Sequence, residues 1–471
     1  MRRLLFFVFF LSTTQALAKG VSPYLPLKLS PEIESQVEKL MALTPGAPLN
    51  KPYKTVELIE RLVQIRDDYP QLYQQLHHYL QRFEQDVALT HLDAQVSLSD
   101  DTSKTLPNQR NIHSDSHASA SFAGQAFLSP YLFASVAGVA AQDNGVIHTG
   151  SFIGFGYEYA QVEVGYREHW FSPFQDSAML ISTHAKSSPS ITISNATPIT
   201  DWNFRYEIFY SKLEEVDEIV LGDETFPGHP RLIGMHLSIT PFDFWTLGAS
   251  RTLQFGGGKR DVSFSDIIEA ILDPAGKDNV GDVDTDDPNY EFGNQQAAIS
   301  SKFNFHLWTP VSLYAELAGE DTIAESNFQL GNQALSYGLY LPALTDSFSL
   351  RYEYSHWSTA WYVHHLYKQG YTNDGQVMGH WGAGERDLSH DTAATAQSLN
   401  LNWSLAENGI IDLTLRTLQN EGNRFETFER ASEIDLTYSR PASFGFWGFN
   451  IYAGKNVYGE NFGRISSFVR W

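Results

Sequence analysis

Between Trp357 and Arg386 the chain concentrates Trp357, Trp361, Tyr362, Tyr367, Tyr371 and Trp381 with His364, His365, His380, Asn373, Asp374 and Arg386. That mixture suits sugars. Aromatic faces stack on the apolar C–H side of a pyranose ring, while amide, carboxylate, imidazole and guanidinium groups exchange hydrogen bonds with its hydroxyls. The competing reading is an interfacial aromatic girdle with ordinary loop packing. A second set, Gly256-Gly257-Gly258 followed by Lys259 and Arg260, brings open backbone beside two cations that would meet an acidic sugar. It lacks the spacing and following helix cap of a phosphate loop, and the glycines equally serve to turn the chain at a membrane rim.

Two further constellations carry less. His364, His365 and His380 admit a metal-site reading or, with Ser358 or Asp374, a hydrolase reading. Adjacent histidines on an extended strand point to opposite faces, so an extended segment cannot bring both to one site. Neither catalysis nor a bound metal or cofactor is expected. Asp282, Asp284, Asp286 and Asp287 offer oxygens for calcium, but without the glycine and distal glutamate of an EF-hand they read as a solvated acidic loop.

Loops of this kind need a scaffold, and the rest of the chain supplies one with a period of two. In Gln397 to Leu405, Leu399, Leu401, Trp403 and Leu405 alternate with Ser398, Asn400, Asn402 and Ser404. Ile233, Met235, Leu237 and Ile239 alternate with Gly234, His236, Ser238 and Thr240 in the same way, as do Val311, Leu313, Ala315 and Leu317 with Ser312, Tyr314 and Glu316. One face suits lipid and the other a wet lumen. The stretch Phe462 to Trp471, FGRISSFVRW, alternates Ile465, Ser467, Val469 and Trp471 with Arg464, Ser466, Phe468 and Arg470. In a closed barrel such a final strand pairs with the first and leaves no edge, and its terminal aromatic resembles the assembly signal of bacterial outer-membrane proteins.

Composition agrees. Charged residues are only 18% and aromatics 14%, yet after the first twenty residues there is no apolar run long enough for a membrane helix. Arg2 and Arg3, the apolar Leu4 to Leu11 and Ala16-Leu17-Ala18 make residues 1–18 an expected secretory signal. The absence of cysteine excludes disulfides, thiolate metal sites, a cysteine nucleophile and a lipoprotein anchor. A net charge of −23 argues against nucleic acid. Residues 19–87 have a different grain: Ile33, Val37, Leu40 and Met41 form one helical stripe after Ser30-Pro31, Leu58, Ile59, Leu62 and Val63 a second between Thr55 and about Asp67, and Leu72, Leu76, Leu80 and Phe83 a third between Gln71 and Val87. The expected organisation is a small periplasmic helical bundle followed, over residues 88–471, by an all-β antiparallel barrel of about eighteen strands, with Met179 to Asn195 the weakest part of the count. Short Pro-bearing turns such as Thr309-Pro310 would face the periplasm, and long polar loops such as Gly256 to Gly293 and Ser358 to Ala394 the exterior. Arg167, Arg351, Glu163, Glu316 and Glu353 would lie inside, as a structural network or as the lining of a solute channel.

Six segments resemble the capsule-assembly Wzi family of outer-membrane proteins: GYREHWFSPFQDSAMLIST (Gly165 to Thr183), QFGGGKR (Gln254 to Arg260), EFGNQQA (Glu291 to Ala297), AGEDT (Ala318 to Thr322), LGNQALSYG (Leu330 to Gly338) and WSTAWYVHHLYKQGYTNDGQVMGHWGAGER (Trp357 to Arg386). Lys19 to Val87 fits only in kind. The resemblance implies a surface lectin, without known catalysis, that attaches capsular or related exopolysaccharide to the outer membrane. Its expected partners are that polysaccharide and outer-membrane lipid, and the chain is expected to act as a monomer. The candidate sugar contacts are Trp357, Trp361, Tyr362, His364, Tyr371, Asn373, Asp374, His380, Trp381, Arg386, Lys259 and Arg260.

Overall fold

The computed structural model describes residues 20–142, 144–273, 275, 287–320, 322–323, 326–405 and 409–471. The expected signal and Asp282, Asp284 and Asp286 lie outside them. Among the described residues, 18 antiparallel strands close into one barrel. The first, Val87–Ser99, pairs with the last, Asn461–Arg470, setting Ala94 opposite Val469 and Leu98 opposite Ile465. Main-chain bonds between Leu92 and Trp471 at 2.8 and 3.4 Å finish the seam. Closure of this kind removes the unpaired edge that hydrocarbon would not tolerate.

Alternation sorts the side chains as the sequence requires. On Asn461–Arg470, Ile465 and Val469 are exposed on the outer wall, and Arg464, Ser466 and Phe468 are buried inside. On Ala394–Ser404, Ser398 and Asn402 are buried inside and Trp403 is exposed outside. One strand is split: Gly145–His148 and Ser151–Tyr157 both pair with Leu132–Ala141. The doubtful region is mostly not strand. Only Ser190–Ser194 joins the barrel, and the residues between Trp170–Phe171 and Ser190 fold into the lumen.

Three helices precede the barrel: α1 (Pro31–Leu43), α2 (Thr55–Gln64) and α3 (Pro70–Leu80). The last two are shorter than expected. After α3 comes one tight turn, Gln81–Glu84, and Val87 already belongs to the first strand, whose ladder outcompetes further helix. Their stripes share one apolar core, with Val37, Leu40 and Met41 against Leu58, Leu62, Leu76 and Phe83. The bundle does more than dock, because it stoppers one mouth of the lumen. Glu57 of α2 accepts from Arg61 at 2.7 Å and from the inward-facing Arg205 at 2.5 Å, Glu38 of α1 pairs with Arg351 at 3.3 Å, and Asn304 donates to the Met41 carbonyl at 3.1 Å. The two guanidiniums outweigh the burial that would raise the Glu57 carboxyl and bring it down to about 2.

A fourth helix, α4 (Phe264–Leu272), lies in what the sequence suggests is only a polar loop. Its Ile267 and Ile271 pack on Ile233 and Met235 of the outer wall, and Arg251 donates to the Ala270 and Ile271 carbonyls at its end, at 2.8 and 3.1 Å.

Candidate functional site

Opposite the bundle, two long connections turn inward and meet. One spans residues 172–189, the other 358–393. Tyr362 donates its hydroxyl to the Met179 carbonyl; Ser182 Oγ donates to the Gly379 carbonyl at 2.6 Å and its N–H to Met378 at 2.7 Å. The Tyr362 N–H reaches Glu320 on the barrel wall at 2.7 Å. Phe174 packs edge-on against the inward Tyr314, centroids 4.8 Å apart, and its carbonyl accepts from Lys51 beside the bundle at 3.3 Å. Protein therefore runs through the lumen from the stoppered mouth to the opposite one. A cavity of about 310 Å³ remains beside this column, lined by Asn400, Asn402, Asp412, Arg416, Asp435 and Arg464 among others.

Ten of the twelve candidate sugar contacts are buried in this column or its supports: Trp357, Trp361, Tyr362, His364, Tyr371, Asn373, His380, Trp381, Arg386 and Arg260. Several are visibly structural. The Arg386 guanidinium donates to the Thr359, Thr392 and Trp361 carbonyls and so ties the long loop to itself. Arg260 clips three carbonyls in the same manner, those of Val220, Pro288 and Glu291. Asn373 bridges the Glu214 N–H at 2.8 Å and the Lys186 carbonyl at 2.9 Å. The His380 ring accepts from the Gly382 N–H at 3.1 Å, 4.7 Å from the Trp357 ring, and burial pushes it down to about 3. Burial likewise lowers Arg386 to about 10. Only Lys259 and Asp374 are exposed, the former with its ammonium 3.8 Å over the Phe226 ring and the latter paired with Lys186.

The physical reason is that the wall side chains of a barrel this wide cannot meet across the lumen, and here the most aromatic loop folds in and buries its rings there. The signal was present in the sequence: Ala178-Met179-Leu180-Ile181 is an apolar run without alternation where the strand count is weakest, and all four residues are buried. The expectation for His364 and His365 also changes. Their segment is a turn, closed by the Tyr367 N–H on the His364 carbonyl at 3.2 Å, so the rings stack at 4.8 Å and both face Glu291.

What the outer mouth does present comes from residues that the sequence did not single out. Phe425, 59% exposed, packs at a tilt against His390, centroids 4.1 Å apart, and lies 4.7 Å from the Arg424 guanidinium. Nearby in the chain, Tyr458, 50% exposed, packs on Phe428 at 5.9 Å and donates to Glu426 at 3.2 Å. Asn423 donates to Thr392 at 2.9 Å and ties this loop to the end of the inward one.

Fold and interior together define a membrane β-barrel whose lumen is filled by its own chain, with ring-bearing, polar loops at one mouth. Residues 95–453 match the family described as capsule assembly protein Wzi, and the chain belongs to that family. Among solved structures it resembles Escherichia coli Wzi, an outer-membrane protein involved in group 1 capsule assembly and described as a carbohydrate-binding β-barrel. The TM-score is 0.68 at 15% identity, covering 96% of this chain and 99% of that one. An uncharacterized 55.8 kDa protein of the Klebsiella pneumoniae cps region is 30% identical over 162 residues, 32% of this chain and 29% of that protein. Acinetobacter baumannii OccAB4 aligns at a TM-score of 0.47 and 9% identity over 81% of this chain and 96% of that one. The protein is thus an outer-membrane barrel of the capsule-assembly class.

Proposed function

We propose that this protein is a surface lectin that holds capsular or related exopolysaccharide at the outer membrane, as a monomer and without catalysis. The observation that supports it most is membership of the capsule-assembly family over residues 95–453. The filled lumen favours it over the rival diffusion channel, since a column of buried side chains occupies the path that a solute would take. The contact surface is the outer mouth. Phe425 and Tyr458 offer faces for pyranose C–H groups, His390, Arg424 and Glu426 flank them with donors and acceptors, and Lys259 and Asp374 extend the polar rim. The buried candidates act indirectly, by holding these loops in shape.

The test is retention of purified capsular polysaccharide by the folded protein in detergent. Phe425→Ala with Tyr458→Ala is expected to weaken binding about tenfold or more, two stacking platforms of roughly 1 kcal/mol each being lost. Unchanged binding with intact heat-modifiable folding would remove this surface from the proposal.

A further inference from the structure

Glu291, His364 and His365 lie away from the sugar-facing surface, among the supports of the lumen column. Glu291 lies two residues before the strand Gly293–His306, and the two histidines occupy the turn of the loop that follows Phe348–Trp357. Their ligand-capable atoms lie within 4.8 Å of one another. His365 Nε2 is 2.7 Å from Glu291 Oε2, and His364 Nε2 is 3.3 Å from Glu291 Oε1. Glu291 is only 2% exposed, and its Oε1 has no hydrogen-bond partner among the described residues. A carboxylate oxygen buried in that way is costly unless something cationic meets it. Arg260 donates its two Nη groups to the Val220, Pro288 and Glu291 carbonyls and makes no ion pair with the Glu291 carboxylate among the described residues.

We propose that Glu291, His364 and His365 form a site for a divalent transition-metal ion. Two imidazole nitrogens and one carboxylate are a donor set for zinc, nickel, copper or cobalt rather than for calcium or magnesium, which take oxygen ligands. The His365 side chain, 61% exposed, opens the site to solvent, whereas His364 and Glu291 are fixed inside. Ligation through His364 Nε2 moves the ring proton to Nδ1 and gives up one long contact, 3.3 Å from the Leu366 N–H. The remaining valences of the metal are left to water or to a ligand from outside.

The bound ion would clamp two outer connections, residues 256–292 and 358–393, which are far apart in the chain. Because the site is recognised by metal alone, it stands or falls independently of the lectin proposal. The experiment uses the full folded protein in detergent, stripped with a chelator and titrated with zinc chloride by calorimetry and with cobalt chloride by visible absorption. Saturable binding of one ion per chain, with a cobalt ligand-field band, is expected. His365→Ala, which removes an exposed side chain and leaves folding intact, and Glu291→Gln should each weaken binding by at least about tenfold, the loss that even an outer-shell partner produces, and should abolish the band. No saturable binding, or binding and spectrum unchanged in both variants, would overturn the site and assign any uptake to the other histidines.

Discussion

Trp381 donates its indole N–H to Asp176 at 3.1 Å although the two residues stand 205 positions apart. Asp176 also accepts from Arg416 of the barrel wall, at 2.7 Å. One carboxylate therefore fastens both inward connections to the barrel. Asp176→Ala leaves the indole N–H unpaired and the largely buried Arg416 guanidinium with only the more distant Asp435, 3.8 Å away, which is expected to loosen the column by roughly 3 kcal/mol. Trypsin cleavage at the exposed Lys368 should rise several-fold while heat-modifiable barrel mobility stays normal.

Acid should loosen the same column. Burial brings His184 and His380 from 6.5 to about 3, and for His184 the nearby His380 and Lys104 add to it. With the folded values below the unfolded ones, an opened loop binds the protons first. Their contribution is fully present above about pH 6.5 and is lost as pH falls toward 3. Hydrogen exchange over Met378–Ala383, corrected for intrinsic rates, is expected to lose protection between pH 6.5 and 4.5. In the double variant His184→Gln, His380→Gln that dependence should flatten; a slope as steep as in the parent would mean that other groups set it.

The bundle is held by a different charge arrangement with the opposite chemistry. Arg205 and Arg61 keep the Glu57 carboxyl at about 2, so the linkage is intact above the ordinary carboxylate range near 4.5 and weakens as pH drops from there toward 2. Glu57→Gln is expected to destabilise the seating of α2 by about 3 kcal/mol, because the buried Arg205 loses its counter-charge. Protease release of residues 20–86 without barrel unfolding would report it.

A barrel filled from both mouths should not conduct. Planar bilayers carrying the intact protein are expected to show no conductance above background, and steady openings should appear only once the bundle and the 358–386 loop are both shortened. Large steady openings from the intact chain would restore the channel reading.

Much of this architecture is legible in the sequence, for a mechanical reason. A membrane strand must alternate, and Ile465, Val469 and Trp403 against Arg464, Ser466 and Asn402 carry that rule in every residue. Helical stripes such as Val37, Leu40 and Met41 are equally local. What the lumen does is not local. Whether Tyr362 and Trp381 meet a sugar or Met179 and Asp176 depends on partners some 180 to 205 positions away, and aromatic-rich loops have the same composition in either case. His364 and His365 show the point on a small scale: spacing alone suggests opposite faces, and a single turn sets both on Glu291. Phe425 and Tyr458 escaped notice because each stands in a polar stretch and meets its ring partner, His390 or Phe428, only by folding.

The most direct measurement compares cell-bound with released polysaccharide in cells with and without the protein. If it anchors capsule, its loss leaves total polysaccharide unchanged and moves most of it into the medium, and restoring the parent chain, but not the Phe425→Ala, Tyr458→Ala variant, returns it to the surface. Polysaccharide that stays cell-bound in the deletion strain would contradict the anchoring role.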